Sequence, residues 1–309
     1  MREIADTLLA ISWGLVPVTL FHLAPMFLST LSWREMLARD RRPRLSVLVW
    51  ARWIRESINS LLPVGQVGGD LVCIRLIYLR GVPGAPATAS MIVDLTVGAF
   101  TQLAFVAIGL VLLLFHSTEP DVLAIVWAVL AGLGIFLVAI VAFFLLQRRG
   151  IFGLTARIAG GLAKMGVATR MAGEASEVDV AVRTVYADTG AFWRAMAWRL
   201  AGWAAGTGEI WLLMYFLGAP VTLAEAFILE SLSSGVRAAA FLIPGALGIL
   251  EGSFIVFAGL FGIPAGAALT LALGKRVREL ALGIPGLIAW QMTGIMTPGR
   301  KPAARPRES

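Results

Sequence analysis

Arg52, Arg55, Glu56 and Asn59 stand at i, i+3, i+4 and i+7, a spacing that gathers all four on one face of a helix. A second stretch repeats the device with Glu230, Ser233, Ser234 and Arg237, and a third carries Lys275, Arg276, Arg278 and Glu279. Asp94 and Glu209 lie alone in apolar surroundings. Guanidinium groups in such a set suit phosphate, because their planar fork matches two of its oxygens where an ammonium offers only a point charge. The same residues can also neutralise one another locally, Glu56 with Arg52 or Arg55, Glu230 with Arg237, and Glu279 with Lys275. Arg52 and Arg276 have a third option, snorkelling to an interface. Asp70 and Glu251 each follow a glycine-rich turn, so they fall in the first turn of a helix, where the macrodipole favours a carboxylate.

No catalytic constellation accompanies these groups. The sequence has no phosphate-binding loop, no dinucleotide fingerprint, no Ser/His/Asp set and no His/Cys cluster with metal-ligand spacing, so neither a cofactor nor a metal is expected. The two histidines, His22 and His116, are 94 residues apart, and His22 reads as a packed or interfacial residue. Cys73 is the single cysteine, which excludes an intramolecular disulfide.

The elements that must position the charges are membrane helices. Of 309 residues, 58% are hydrophobic and 15% charged, with mean hydropathy +0.83, whereas soluble domains carry about 25% charged residues. Met91 to Phe115 and Val122 to Leu146 each exceed the roughly 20 apolar residues that cross about 30 Å of hydrocarbon. The first apolar run, Leu8 to Thr30, has no basic region before it and no small-residue cleavage site after it, and reads as a retained span. Within the bilayer each ionised side chain costs about 2.5 to 3.5 kcal/mol, so charges at that depth are functional candidates.

Basic residues crowd three connections: Arg34 to Arg44, Arg148 to Arg183, and the tail with Arg300, Lys301, Arg305 and Arg307. The positive-inside rule makes these cytoplasmic, with the C-terminus, and accounts for the net charge of +7 without a nucleic-acid partner. The connections His116 to Asp121 and Leu217 to Leu223 have no Lys or Arg and belong outside. Two stretches, Leu45 to Leu79 and Leu223 to Phe261, are interrupted by Pro63, Gly65, Gly68 and Gly69 and by Pro244, Gly245 and Gly248. Proline removes a donor and glycine loosens the backbone, so helices stop there. Alternation of sides is consistent if each stretch is a re-entrant hairpin, the first entering from the cytoplasm and the second from outside.

A shift of 181 residues carries Pro63, Asp70, Gly81 and Pro83 onto Pro244, Glu251, Gly262 and Pro264, and Asp94 onto Lys275. The fold class predicted is all-α and polytopic, with about five full spans and two re-entrant hairpins in an inverted repeat. A single transmembrane domain of residues 1–294 divides into repeat one at 8–115, a linking span at 122–146, a cytoplasmic segment at 147–190 and repeat two at 191–294. A disordered basic tail follows at 295–309. Paired interrupted helices in corresponding halves point to a transporter-type site near the midplane.

Arg55-Glu-Ser-Ile-Asn-Ser-Leu-Leu-Pro-Val-Gly-Gln-Val-Gly-Gly-Asp70, Gly81-Val-Pro83 and Val93-Asp94-Leu-Thr-Val resemble the first half of the lysylphosphatidylglycerol synthase/flippase transmembrane domain family. Ser233-Ser-Gly-Val-Arg237, Ile243-Pro-Gly-Ala-Leu-Gly248, Glu251-Gly252 and Lys275-Arg-Val-Arg-Glu-Leu280, with Gly283-Ile-Pro-Gly286 and Trp290-Gln291, resemble its hopanoid-biosynthesis-associated branch. The likeness covers roughly residues 10 to 292. It implies a domain that flips a lipid to the outer leaflet, and, since the chain ends before any soluble synthase domain, transport without synthesis.

The function expected is a flippase or transporter of a polar-headgroup lipid, of hopanoid type on the branch resemblance, in the bacterial inner membrane. Its substrate site would draw on Arg55, Glu56, Asn59, Asp70, Asp94, Glu230, Arg237, Glu251, Lys275, Arg276, Arg278 and Glu279. Membrane lipids are the partners, with hopanoid or lipid-modifying enzymes as further candidates. Two rivals stay open: an integral-membrane transferase using a lipid carrier, with Asp94, Glu209 or Glu251 as base, and a non-catalytic membrane partner of hopanoid enzymes.

Overall fold

The computed structural model describes residues 12–62, 67–116, 120–149, 166–239 and 248–293. Among these residues the secondary structure is helical, with no strand. The described residues open with α1 (Ser12–Phe21) and α2 (Leu23–Glu35), parted at His22. Pro25 explains the break, since it has no N–H for the Phe21 carbonyl and its ring crowds that oxygen.

Next come α3 (Leu45–Leu61), α4 (Gly68–Tyr78), the long α5 (Gly84–His116) and α6 (Pro120–Arg149). The polar α7 (Gly166–Ala187) leads into α8 (Thr189–Phe216), which Asp188 caps by accepting from the Ala191 N–H at 2.8 Å. The chain then repeats its earlier order with α9 (Leu223–Ala239), α10 (Ile249–Gly259) and α11 (Ala265–Met292). Pro63, Gly65, Pro244, Gly245 and the tail 295–309 lie outside the described residues, as does most of the polar connection between α6 and α7. Gly68 and Gly69 open α4, and Gly248, at φ +80°, precedes α10 in the left-handed region that favours glycine.

Among the described residues three segments are long and apolar enough to cross a membrane: Trp13–Glu35, Gly84–His116 and Val126–Arg149. The chain is therefore a multi-pass membrane protein. Helices α8 and α11, at 28 residues each, have the length to cross but carry charges within it. In contrast, α4 and α10 have 11 residues each, about 16 Å at 1.5 Å per residue, half the hydrocarbon thickness.

The 181-residue correspondence reappears in three dimensions. Gly81 (φ 93°) and Gly262 (φ 68°) end α4 and α10 in the same way, with Val82 N donating to Ile77 O at 3.2 Å and Ile263 N to Ala258 O at 3.1 Å. Pro83 and Pro264 then start the next long helix in each half. The halves also interlock: α3 packs along α11, and α9 packs along α5. Small residues permit both approaches, because a Cβ on Gly286 would meet Ser57 Oγ at 2.0 Å and one on Gly109 would meet Ser231 Oγ at 1.8 Å. Trp53 donates to Leu282 O at 2.9 Å across the first contact, and Gln102 donates to Ser234 O at 2.9 Å across the second. Positions 53 and 234 correspond under the shift, as do 102 and 283.

Apolar packing is divided among three clusters. One surrounds Leu229, Phe254, Ile210 and Leu271, a second holds Trp33, Leu48, Ile54 and Ile77, and a third joins α7 and α8 to α5 through Val182, Ala195 and Val93. Between the first two lies a polar space.

Candidate functional site

A cavity of about 390 Å³ opens between the α3 arm and the α9 arm, and the kink at His22, helix α8 and the middle of α11 complete its wall. Its lining includes the cations Arg52, Arg55, Arg199, Arg237, Lys275 and Arg278 and the carboxylates Glu56, Glu209, Glu230 and Glu279. Asn59, Gln102, Ser233 and Ser234 add hydrogen-bonding groups, and Trp53 and Trp203 add aromatic faces. The side chains are drawn from both interrupted helix pairs.

Each half is organised around one carboxylate that holds several guanidiniums. Asp94 on α5 is fully buried and accepts from Arg52 Nη1 at 3.0 Å, with Arg199 Nη1 at 3.4 Å and Arg55 Nη1 at 3.9 Å. Arg52 also reaches Glu56 at 3.0 Å, and Arg55 pairs with Asp70 at the start of α4. Asn59 Oδ1 accepts from the Gly69 N–H at 2.8 Å, so it caps α4 and ties the two arms together. No space for a side chain exists at Gly69, where a Cβ would meet the Arg55 carbonyl at 2.4 Å.

In the other half Glu279 on α11 is the shared acceptor, with Arg237 Nη1 at 2.9 Å, Arg276 Nη1 at 3.0 Å and Arg278 Nη2 at 4.0 Å. Lys275 Nζ lies 2.5 Å from Glu230, joining α11 to the α9 arm. Glu251 accepts from the Gly248 N–H at 2.8 Å, closing the first turn of α10, and from Arg276 Nε at 3.1 Å. The expected helix-end position of Glu251 is thus present, and the ion pair with Arg276 is a further role that the sequence did not indicate.

Of the local pairs expected from sequence, Arg52 with Glu56 forms. Glu230, Arg237 and Lys275 find partners on other helices instead. Arg276 is engaged by two carboxylates rather than extended toward an interface. Cross-helix pairing follows from depth: an ion left alone in a low-dielectric interior costs several kcal/mol, and the packed neighbour supplies the nearest opposite charge.

Two of the contributors, Arg199 and His22, were not singled out as site residues by sequence reasoning, and a third, Glu209, entered only as a possible base in the transferase reading. Arg199 of α8 joins the Asp94 cluster, Glu209 of α8 faces Arg278 Nε at 3.0 Å, and His22 Nδ1 sits 2.9 Å from the other Glu209 oxygen. His22 is therefore part of the cavity wall and not merely a packed or interfacial ring. A signal for α8 does exist in the sequence. Arg199, Gly202, Gly206 and Glu209 fall at i, i+3, i+7 and i+10, a stripe of charge and small residues on one helix face. Among the described residues no group of His, Cys, Asp and Glu has the arrangement of a metal site.

Chemically, the arrangement is a set of neighbouring ion pairs of both signs around one cavity. An anionic group entering it can take over donors now held by Glu279 or Asp94, and a cationic group can take over the acceptors. Charges of both signs at membrane depth are tolerated because each has a partner until such an exchange occurs.

Comparison with curated proteins and with solved structures gives no match. The family model described as lysylphosphatidylglycerol synthase TM region matches residues 1–286, which spans both halves of the repeat and every charged residue of the cavity. The chain accordingly belongs to the lysylphosphatidylglycerol synthase transmembrane-region family, with a function connected to membrane lipids.

Proposed function

We propose that this protein is a lipid flippase of the bacterial inner membrane, moving a polar-headgroup lipid between leaflets through the charged cavity while the acyl chains stay in the bilayer. The observation that carries this reading is the meeting of both interrupted helix pairs, through Arg52, Arg55, Glu230 and Arg237, on one polar cavity of about 390 Å³. That volume falls in the range of small-molecule sites, roughly 300 to 1,000 Å³, and suits a headgroup rather than a whole lipid.

In this reading α3–α4 and α9–α10 are re-entrant hairpins that enter from the cytoplasm and from outside, with the C-terminus cytoplasmic. Arg237, at 29% exposure the most open of the cavity arginines in ion pairs, makes first contact with a headgroup phosphate and gives up Glu279 to do so. Glu56, at 34%, is the open carboxylate of the other half and receives a cationic headgroup group. Rocking of one half against the other then exposes the cavity to the opposite side. A hopanoid-related lipid is one candidate cargo, following the branch resemblance, and no catalytic role is assigned to any residue.

The test is a leaflet-exposure assay in proteoliposomes with fluorescent phosphatidylglycerol, phosphatidylethanolamine and a polar hopanoid as alternative reporters. Arg237→Ala and Glu56→Ala should each reduce movement of the transported reporter at least about tenfold, the effect of losing 1.4 kcal/mol of interaction. Insertion and monodispersity should be retained. Wild-type rates in both variants would reject this cavity as the route. Formation of a covalently altered lipid by the purified protein would favour the transferase reading instead.

A further inference from the structure

His22 occupies a place the lipid-moving reading does not use. It lies at the Pro25-dependent break between α1 and α2, with its side chain 22% exposed to the cavity, and it is held by two ions of opposite sign. Nδ1 is 2.9 Å from Glu209 Oε2, while Arg278 Nη1 is 2.8 Å from both ring nitrogens. A carboxylate can only accept, so Nδ1 carries the proton in the Glu209 contact. Arg278 Nη1, equidistant from the two nitrogens, sets a fixed positive charge against the ring and so opposes a second positive charge on it.

We infer that His22 is a proton-binding site coupled to headgroup binding through Arg278, making the protein a lipid–proton symporter. The inference rests on the flippase reading above and adds its energy source. When an anionic headgroup draws Arg278 away, its positive charge leaves the ring, Nε2 takes up a proton, and the imidazolium stays bound to Glu209. When the proton leaves, Arg278 returns to the ring and the headgroup is released. The two bindings assist each other, and linkage makes that assistance reciprocal.

The other charged groups around the ring are already committed. Glu56, Arg52 and Arg55 line this cavity from α3, Lys275 and Glu279 from α11 and Arg199 from α8, and each is engaged in an ion pair. Imidazole is the side chain whose charge changes between pH 5 and 8, the range in which a membrane proton gradient operates.

The experiment uses the full-length protein in phosphatidylethanolamine/phosphatidylglycerol vesicles, with trace fluorescent phosphatidylglycerol as the anionic probe and potassium–valinomycin clamping the membrane potential. The leaflet distribution of the probe is read at steady state with and without a pH gradient. One coupled proton shifts that distribution about tenfold per pH unit, because both correspond to 1.4 kcal/mol. The expected result is a shift of that size toward the alkaline side, abolished by nigericin and absent in His22→Gln. Arg278→Lys, which keeps the charge but loses the fork, should weaken the shift and serves if the histidine variant does not fold. Equilibration of the probe by wild-type protein with no gradient response overturns the coupling and leaves the flippase reading intact. No probe movement under any gradient overturns both.

Discussion

The two halves of the molecule share a scaffold but differ in how tightly their charges are held. In repeat one the shared carboxylate, Asp94, is fully buried, and its guanidinium partners Arg52, Arg55 and Arg199 have side chains only 3%, 9% and 11% exposed. In repeat two the corresponding set around Glu279 is mixed, with Arg237 at 29% and Arg276 at 16% but Arg278 at 8%. The sign is reversed at the equivalent position, where Asp94 of α5 matches Lys275 of α11 and the basic α3 arm faces an α9 arm carrying Glu230. What repeats is therefore the backbone punctuation and the presence of a charge, while its sign is free to change with its partner. In the proposed flippase the Asp94 cluster is the anchor, and Arg237 and Glu56, one from each half, are the open groups that exchange partners.

Removing the anchor should produce the largest effect. Asp94→Ala leaves three guanidiniums without their common acceptor, and loss of a buried partner costs about 3 to 5 kcal/mol. The measurement is thermal unfolding in detergent, with Arg237→Ala as the paired comparison. A drop for Arg237→Ala equal to that for Asp94→Ala would erase the distinction between the halves.

The interlocking contacts come next. Gly286→Ala and Gly109→Ala each force a methyl into the space of a serine hydroxyl, and overpacking of this kind costs about 1 to 3 kcal/mol. Similar losses at both sites would support equivalent packing of α3 on α11 and of α9 on α5. A loss at one site alone would break that equivalence. The smallest effects belong to Trp53→Phe and Gln102→Leu, which delete hydrogen bonds at neighbouring points of the same two contacts, about 0.5 to 1.5 kcal/mol each.

Much of this was legible in the sequence because its signals are local. Positive-φ glycine followed by proline marks the same helix end twice, at Gly81 and Gly262, and helical spacing places Arg52, Arg55, Glu56 and Asn59 on one face. Pairing was less legible, since it depends on which helices become neighbours. Glu230 and Arg237 share a helix face, yet Lys275 and Glu279 lie closer once α9 and α11 are packed around the cavity. His22 was missed for the same reason: its partners Glu209 and Arg278 are 187 and 256 residues away, and nothing near it in the chain announces them. Asn59 faces the cavity as expected, but its contact with Gly69 shows a second task, joining the arms.

Opposed entry of the two hairpins is the central claim, and single-cysteine labelling with a membrane-impermeant maleimide tests it most directly. In a Cys73→Ala background, Ser46→Cys and Gly84→Cys flank the first hairpin, and Leu223→Cys and Ala265→Cys flank the second. The account predicts that the first two react only from the cytoplasmic side and the last two only from the opposite side. Labelling of either pair from two different sides would mean that its helices cross the bilayer, and would contradict the account.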